Sequence, residues 1–107
     1  PLIVDEVSSG FRLTTGGAHK KFNIQPDVAV FSKAISNGFP MAAIIGKASI
    51  MKYAQETFIS STYWTDRIGP TAAIATITKI LNNKYRQTNR PHKFFSFTLF
   101  NACTQFE

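Results

Sequence analysis

The residue whose chemistry stands out first is Lys33, which follows the apolar run at 28–31 and Ser32. If that run is a buried strand, the ammonium group at its end loses part of its hydration, and this lowers the pKa of a lysine. A lysine amine of lowered pKa is a nucleophile that forms Schiff bases with carbonyl compounds. The alternative is a lysine that leaves the strand and points to water. Taken alone, Lys33 favours that plainer interpretation.

A carboxylate occupies the same kind of position earlier in the chain, because Asp5 follows the short apolar run at 2–4. Enzymes that use pyridoxal phosphate (PLP) place an acidic residue at the pyridine nitrogen, where it keeps the ring protonated. The alternative role for Asp5 is to cap a turn after the strand. Two neighbouring parallel strands that end in Asp5 and Lys33 would direct both groups into one crevice, and the connection between them is long enough for a crossover.

The strands that must position these two residues can be predicted from the apolar pattern. The runs at 2–4 and 28–31 are short, continuous and rich in branched residues, which is typical of parallel strands covered on both faces. A third run at 41–45, closed by Gly46, predicts another strand. The predicted fold class is therefore α/β, with a mostly parallel sheet and flanking helices.

Helical segments are predicted in the second half of this region. Residues 48–55 have helical composition and would place three apolar side chains on one face: Ile50, Met51 and Ala54. A longer helix is predicted to begin at Pro70 and to continue over 71–81, because proline is well tolerated at the first helical position. Residues 58–64, rich in Ser, Thr and aromatics, predict a strand or an extended loop.

Composition excludes several classes of function. The chain has 107 residues, a length that allows a single domain at most. Its net charge is +6. No stretch is apolar enough and long enough to span a bilayer. Cys103 is the one cysteine and cannot form an internal disulfide, so a cytoplasmic location is expected. His19 and His92 lack partners at ligand spacing, so no metal site is expected.

The composition changes at the end of the chain. Residues 84–107 hold six of the fourteen aromatic residues, with four Lys or Arg and one Glu. We predict that 1–83 form one unit and that 84–107 are a basic, aromatic tail outside its fold; the alternative is a genuine family extension. Cations among aromatics are typical of surfaces that bind single-stranded nucleic acid. A non-catalytic basic binding module is therefore a distant rival, but no nucleic acid is expected as a partner.

Three motifs in order resemble segments of the class III aminotransferases, and together they cover about 1–81. They are residues 2–12 (LIVDEVSSGFR), residues 26–33 (PDVAVFSK) followed by 38–40 (GFP), and residues 61–63 (STY) before 69–70 (GP). Within that family, residues 16–18 and the lysine segment are similar to glutamate-1-semialdehyde 2,1-aminomutases. The resemblance implies an incomplete part of the large domain of the PLP-dependent transferase fold (fold type I).

The same resemblance implies a role for individual residues. Lys33 would form the Schiff base with PLP and serve as the catalytic residue. Asp5 would pair with the pyridine nitrogen, and Val7 would pack on one face of the ring. Thr62 would donate a hydrogen bond to the cofactor phosphate across a homodimer interface, and Ser61 is a second candidate for that contact.

The implied activity is amino-group transfer from a small-molecule amino donor to an oxo acceptor. The alternative is an aminomutase, in which the same transfer takes place within one substrate. Residues 64–68 (WTDRI) depart from the Gly-rich segment of the family, which leaves open how the loop around Thr62 is built. The chain begins without Met and directly in a strand pattern, so we expect an internal fragment. The family resemblance implies a further Gly-rich phosphate-binding segment and a small domain outside it, so we expect the chain by itself to be poorly active or inactive. A non-functional gene product is a third possibility.

Overall fold

The structure, a computed structural model, describes residues 1–83, which form a three-stranded sheet accompanied by helical segments. The strands are β1 (Ile3–Asp5), β2 (Val28–Phe31) and β3 (Ala43–Gly46). The α-helices are α1 (Ala48–Met51) and α2 (Ile68–Asn82), and 3-10 helices span Ala18–Lys20, Lys33–Ile35 and Lys52–Glu56. The tail predicted for 84–107 lies outside the described residues.

The sheet has the order β1-β2-β3 and is mixed. β1 runs parallel to β2, with Asp5 opposite Val30, whereas β2 and β3 are antiparallel, with Phe31 opposite Ala43. The prediction that the first two strands form a parallel pair is thus confirmed. The third strand begins later than predicted and includes Gly46, which lies opposite the first residue of β2.

The core of the described residues lies around β2. Its centre is a cluster of four buried side chains: Ala29, Phe31, Ile35 and Ala73. The outer strands are more open, since Ile3 is 62% and Ile45 60% exposed. The expectation that strands are covered on both faces therefore holds for β2 and is wrong for β1 in this part of the chain. The physical reason is that no described element packs over Ile3.

The segment after β3 is helical, as predicted, but not one continuous helix. It divides into α1 and the 3-10 helix Lys52–Glu56. Ile50, Met51 and Ala54 are its half-buried residues, while their neighbours are exposed, which confirms the predicted apolar face. Residues 58–64 contain no strand; they are irregular and enter a turn at residue 62.

The helix α2 confirms the predicted long helix to within a residue or two at each end. The Asp66 carboxylate accepts a hydrogen bond from the Ile68 N–H at 2.8 Å and so satisfies one of the free donors of the first turn. Gly69 is buried and approaches the Pro40 carbonyl so closely that a Cβ would lie 2.9 Å from its oxygen. This close approach brings α2 against the segment that precedes β3. Among residues 1–83, no helix is long and apolar enough to cross a membrane.

Candidate active site

The two strands of the parallel pair bring Asp5 and Lys33 to the same edge of the sheet. Asp5 is the last residue of β1 and lies opposite Val30 of β2, and Lys33 follows the end of β2 after a single intervening residue. The carboxyl ends of parallel strands are where open α/β sheets bind their ligands. The predicted juxtaposition of a carboxylate and an amine at this edge therefore has a structural basis in the strand register.

Asp5 is exposed, and its carboxylate is held by its own backbone turn. Oδ1 accepts a hydrogen bond from the Val7 N–H at 2.8 Å, so the turn-capping role considered for this residue is present. No residue of the described region donates to the other oxygen, Oδ2. Asp5 can thus shape the turn with one oxygen and still offer the other to a ligand. Val7 is half-buried and lies directly beside this carboxylate in the sequence.

Lys33 has an unusual backbone conformation. Its φ is +50°, in the left-handed region, and it opens the 3-10 helix Lys33–Ile35. A residue with a Cβ is strained there by about 1 to 2 kcal/mol, and such strain concentrates at functional sites. The side chain is exposed, which agrees with the interpretation that the sequence favours for Lys33 taken alone, a lysine that leaves the strand.

The Lys33 amine is directed back towards the β1 edge. Nζ donates a hydrogen bond to the Ser8 Oγ at 2.6 Å. Within residues 1–83 the close contacts between a carboxylate and a basic side chain are Glu6 with His19 and Asp27 with Lys47, and neither includes Asp5 or Lys33. The amine and the carboxylate at this edge therefore do not neutralise each other.

A cluster of hydrogen bonds around the buried carboxylate of Glu6, next to Asp5 in the sequence, was not predicted. Glu6 is completely buried, and its Oε1 accepts hydrogen bonds from the His19 backbone N–H and from His19 Nδ1, each at 2.8 Å. Its Oε2 accepts from the Ser9 hydroxyl. A carboxylate only accepts, so His19 carries a proton on Nδ1. A Cβ on Gly17 would lie 2.2 Å from the His19 ring, and glycine is therefore required beside the cluster.

Glu6 is ionised at all but strongly acidic pH. Burial raises the pKa of its carboxyl group, but the hydrogen bonds from Ser9 and from the His19 backbone and ring outweigh burial. Together they lower the pKa from 4.5 to about 2. Its burial and its hydrogen bonds to Ser9 and His19 give Glu6 a structural role in this part of the chain. The sequence feature that could have indicated this cluster is the glycine pair Gly16-Gly17, which lies just before His19.

The structure does not join Ser61 and Thr62 to this edge. Both residues are exposed, and Thr62 begins the turn at 62–65, where the Ser61 carbonyl accepts from the Trp64 N–H at 3.2 Å. Neither forms a hydrogen bond to Asp5 or Lys33 within the described region. Their role as phosphate contacts therefore stays a prediction. The expectation of no metal site also stays a prediction, although residues 1–83 contain no cluster of potential metal ligands.

The fold and this edge define an α/β segment that presents an amine and a carboxylate from neighbouring parallel strands. The family described as Aminotransferase class-III matches residues 1–101, and the chain belongs to that family. This confirms the resemblance found in the motifs. The residues matched by the family extend past residue 83, the last one that the structure describes.

Individual relatives agree with this assignment. The chain is 47% identical over 77 residues to a 3-aminobutyryl-CoA aminotransferase of Cloacimonas acidaminovorans, covering 71% of this chain and 19% of that protein. It is 40% identical over 110 residues to a glutamate-1-semialdehyde 2,1-aminomutase of Nitrosopumilus maritimus, covering 97% of this chain and 26% of the relative. The chain thus spans about a fifth to a quarter of these relatives.

A solved structure supports the same fold. The PLP internal aldimine form of the FumI protein from Sphingopyxis sp. MTA144 matches with a TM-score of 0.73 and 28% identity, over 79% of this chain and 20% of that one. The predicted fold class, an incomplete α/β part of the PLP-dependent fold type I, is confirmed. The described piece of the sheet contributes one parallel and one antiparallel pair to it.

Proposed function

We propose that this chain is part of a PLP-dependent enzyme that transfers amino groups, with Lys33 as the residue that binds the cofactor covalently. The observation that carries the proposal is the parallel register of β1 and β2, which presents Asp5 and Lys33 at one edge without pairing them. Membership of the class III aminotransferase family supports the same activity.

The residues at this edge fit the cofactor in their chemistry. PLP needs a primary amine for its aldehyde, a carboxylate for its pyridine nitrogen and an apolar surface for its ring. Lys33 supplies an exposed amine, Asp5 a carboxylate with an oxygen free of described donors, and Val7 a half-buried branched side chain. Asp5 ends β1, and Val7 and Lys33 each lie two residues beyond the end of a strand, so all three lie at one edge of the sheet.

Bound PLP supplies an aldehyde that condenses with amines and a ring that withdraws electrons from the substrate carbon. Asp5 would hold the proton on the pyridine nitrogen through charge pairing. Lys33 Nζ would first hold the cofactor and, once released by an incoming amine, would accept and return the substrate proton as general base and acid. The Ser8 hydroxyl accepts a hydrogen bond from this amine and so orients it at the β1 edge.

The remaining site residues are proposed on the family resemblance. Thr62, with Ser61 as a second candidate, would donate to the cofactor phosphate across the interface of a homodimer. The exposed position of both residues leaves their hydroxyl groups accessible for such a contact. Partners of the complete enzyme would be a small-molecule amino donor and an oxo acceptor. The cytoplasmic location and the division into 1–83 and 84–107 stay predictions.

An aminomutase is the second candidate, and a relative of that activity at 40% identity favours it. In an aminomutase the donor and acceptor are positions of one molecule, and Lys33 and Asp5 would keep the same roles. Comparing turnover of glutamate semialdehyde alone with turnover of an amine plus a 2-oxo acid separates the two. The 107-residue chain by itself is expected to turn over neither at a normal rate.

Covalent capture of the cofactor tests the proposal directly. The full chain is incubated with PLP, the adduct is reduced with borohydride, and the modified peptide is identified by mass spectrometry. We expect the pyridoxyl group on Lys33, and no selective labelling in Lys33→Ala. Lys21→Ala is the matched control, because Lys21 is also exposed and follows the 3-10 helix Ala18–Lys20 rather than a strand. Equal labelling of several lysines in the wild type would contradict the proposal.

A further inference from the structure

The hydrogen bond between Lys33 and Ser8 joins two parts of the chain that are far apart in sequence. Lys33 Nζ donates to Ser8 Oγ at 2.6 Å across a separation of 25 residues. Both residues are exposed, so burial alone does not impose this contact. A long, exposed lysine side chain loses conformational freedom when it is held, and the contact must offset that loss. The position of Ser8 therefore has to be fixed by something else.

The turn that carries Ser8 is anchored on both sides. Before it, the Val7 N–H donates to Asp5 Oδ1 and the Glu6 N–H donates to the Val30 carbonyl, both at 2.8 Å. After it, the Gly10 N–H donates to the Glu6 carbonyl at 2.8 Å. The Ser9 hydroxyl donates to the buried Glu6 carboxylate. Ser8 is thus the exposed residue of a turn whose other members are held by hydrogen bonds to Asp5, to β2 and to Glu6.

The backbone of Lys33 is fixed independently of its side chain. The Asn37 N–H donates to the Lys33 carbonyl at 3.1 Å, and the Ser32 hydroxyl donates to the Met41 carbonyl at 2.9 Å. These bonds hold the left-handed residue between β2 and the segment leading to β3. Two separately anchored segments therefore meet at one contact, the amine of Lys33 with the hydroxyl of Ser8.

We propose that Ser8 is a positioning residue that holds the Lys33 amine over the carboxyl end of β1. This inference rests on the proposed function, because it takes Lys33 as the residue that reacts with the cofactor aldehyde. A hydroxyl group both accepts and donates hydrogen bonds. Ser8 can therefore accept from the ammonium form of Lys33 and donate to the neutral amine, so the side chain stays in place as the amine loses its proton and reacts.

The closing experiment measures the rate of borohydride-trapped PLP capture at Lys33 in the full chain. Ser8→Ala removes the contact and is expected to slow capture about threefold, the effect of losing one exposed hydrogen bond. Ser8→Thr keeps a hydroxyl group and is expected to stay near the wild-type rate. Ser49→Ala is the matched control, because Ser49 is an exposed serine on α1. Labelling of Lys21 in the same samples serves as the internal reference.

A second measurement separates positioning from general reactivity. Acylation of Lys33 by a small neutral reagent requires no particular orientation, so Ser8→Ala is expected not to slow it. Slower capture by PLP without slower acylation supports the positioning role. The role is overturned if Ser8→Ala captures PLP at the wild-type rate, if Ser8→Thr loses as much as Ser8→Ala, or if capture and acylation fall together.

The two proposals fail in different ways. If wild-type chain shows no preference for Lys33 over Lys21, the proposed function fails, and the role of Ser8 fails with it. If wild-type chain captures PLP at Lys33 and Ser8→Ala is indistinguishable from it, the positioning role alone fails.

Discussion

Replacing Glu6 with Gln tests whether the buried charge beside Asp5 stabilises the fold. Gln has the size of Glu and keeps a side-chain oxygen that can accept from the backbone N–H and ring of His19. Its amide group can donate to Ser9, whose hydroxyl then accepts. The substitution therefore removes the negative charge while leaving the shape of the cluster and most of its hydrogen bonds intact.

The expected effect follows from the pKa of Glu6. A carboxyl group whose pKa falls from 4.5 in its ordinary state to about 2 in the folded protein stabilises the folded state by about 3 kcal/mol at neutral pH. Because the folded pKa is depressed, this contribution is complete above pH 4.5 and is lost as the pH falls through about 2. About half of it should be gone at roughly pH 3. A protonated Glu6 and a Gln are then nearly equivalent.

Urea unfolding followed by far-UV circular dichroism measures this difference. Wild type and Glu6→Gln are compared from about pH 5.5 downwards, a range that avoids the usual titration of histidine. The gap in the free energy of unfolding should be about 3 kcal/mol at the upper end and should narrow steadily with acid. Fluorescence is a poorer probe, since Trp64 is already 64% exposed in the fold.

Asp27→Asn provides the control. The hydrogen bond from Lys47 at 2.6 Å lowers the pKa of Asp27 as well, but Lys47 is exposed and the pair is open to salt. Added salt should therefore weaken the acid dependence that is due to Asp27 and leave that of Glu6, which is buried. Parallel stability curves for wild type and Glu6→Gln throughout the acid range would refute the reasoning about Glu6.

Three further substitutions have defined outcomes. Lys33→Gly should be more stable than Lys33→Ala by about 1 kcal/mol in urea unfolding, because only glycine relieves the strain at φ +50°, and equal stability would contradict this. Gly17→Ala should destabilise the fold by about 1 to 3 kcal/mol by crowding the His19 ring, and less so in a His19→Ala background; additive effects in the double mutant would exclude this contact as the cause. Asp5→Asn should keep the turn through its amide oxygen but weaken PLP retention about tenfold in equilibrium dialysis, and unchanged retention would count against the charge pairing.

The strands and the pair of residues at their ends were predictable because local pattern determines both. A short run of branched apolar residues has few alternatives to a strand, and a charged residue that ends such a run must lie at an edge. Asp5 and Lys33 were found in this way. The long helix was predictable for a similar reason, since Pro70 restricts where a helix can begin.

The contacts that hold the site were not predictable, because they depend on tertiary structure. Glu6 accepts two of its hydrogen bonds from His19, thirteen residues away and on a 3-10 helix. The contact between Ser8 and Lys33 depends on a left-handed backbone conformation that no pattern of apolar residues indicates. The exposure of Lys33 depends likewise on the course of the chain after β2, and for this reason the apolar pattern left two interpretations of this residue open.

The two halves of the proposed cofactor site differ in how they are supported, and this bears on what the chain can do alone. The half expected to hold the ring and the aldehyde is built on β1 and β2, where hydrogen bonds of Glu6 and Ser8 join the segments. The half expected to hold the phosphate lies in a region where large side chains are open to solvent, with Phe58 93% and Trp64 64% exposed. Packing usually fixes such side chains, and no described element packs over these two.

We therefore expect the isolated chain to react with PLP at Lys33 but to retain the phosphate weakly. The preference for Lys33 over Lys21 should then be the same with pyridoxal, which lacks the phosphate, as with PLP; a preference that is markedly larger with PLP would show that Thr62 or another donor holds the phosphate in this chain.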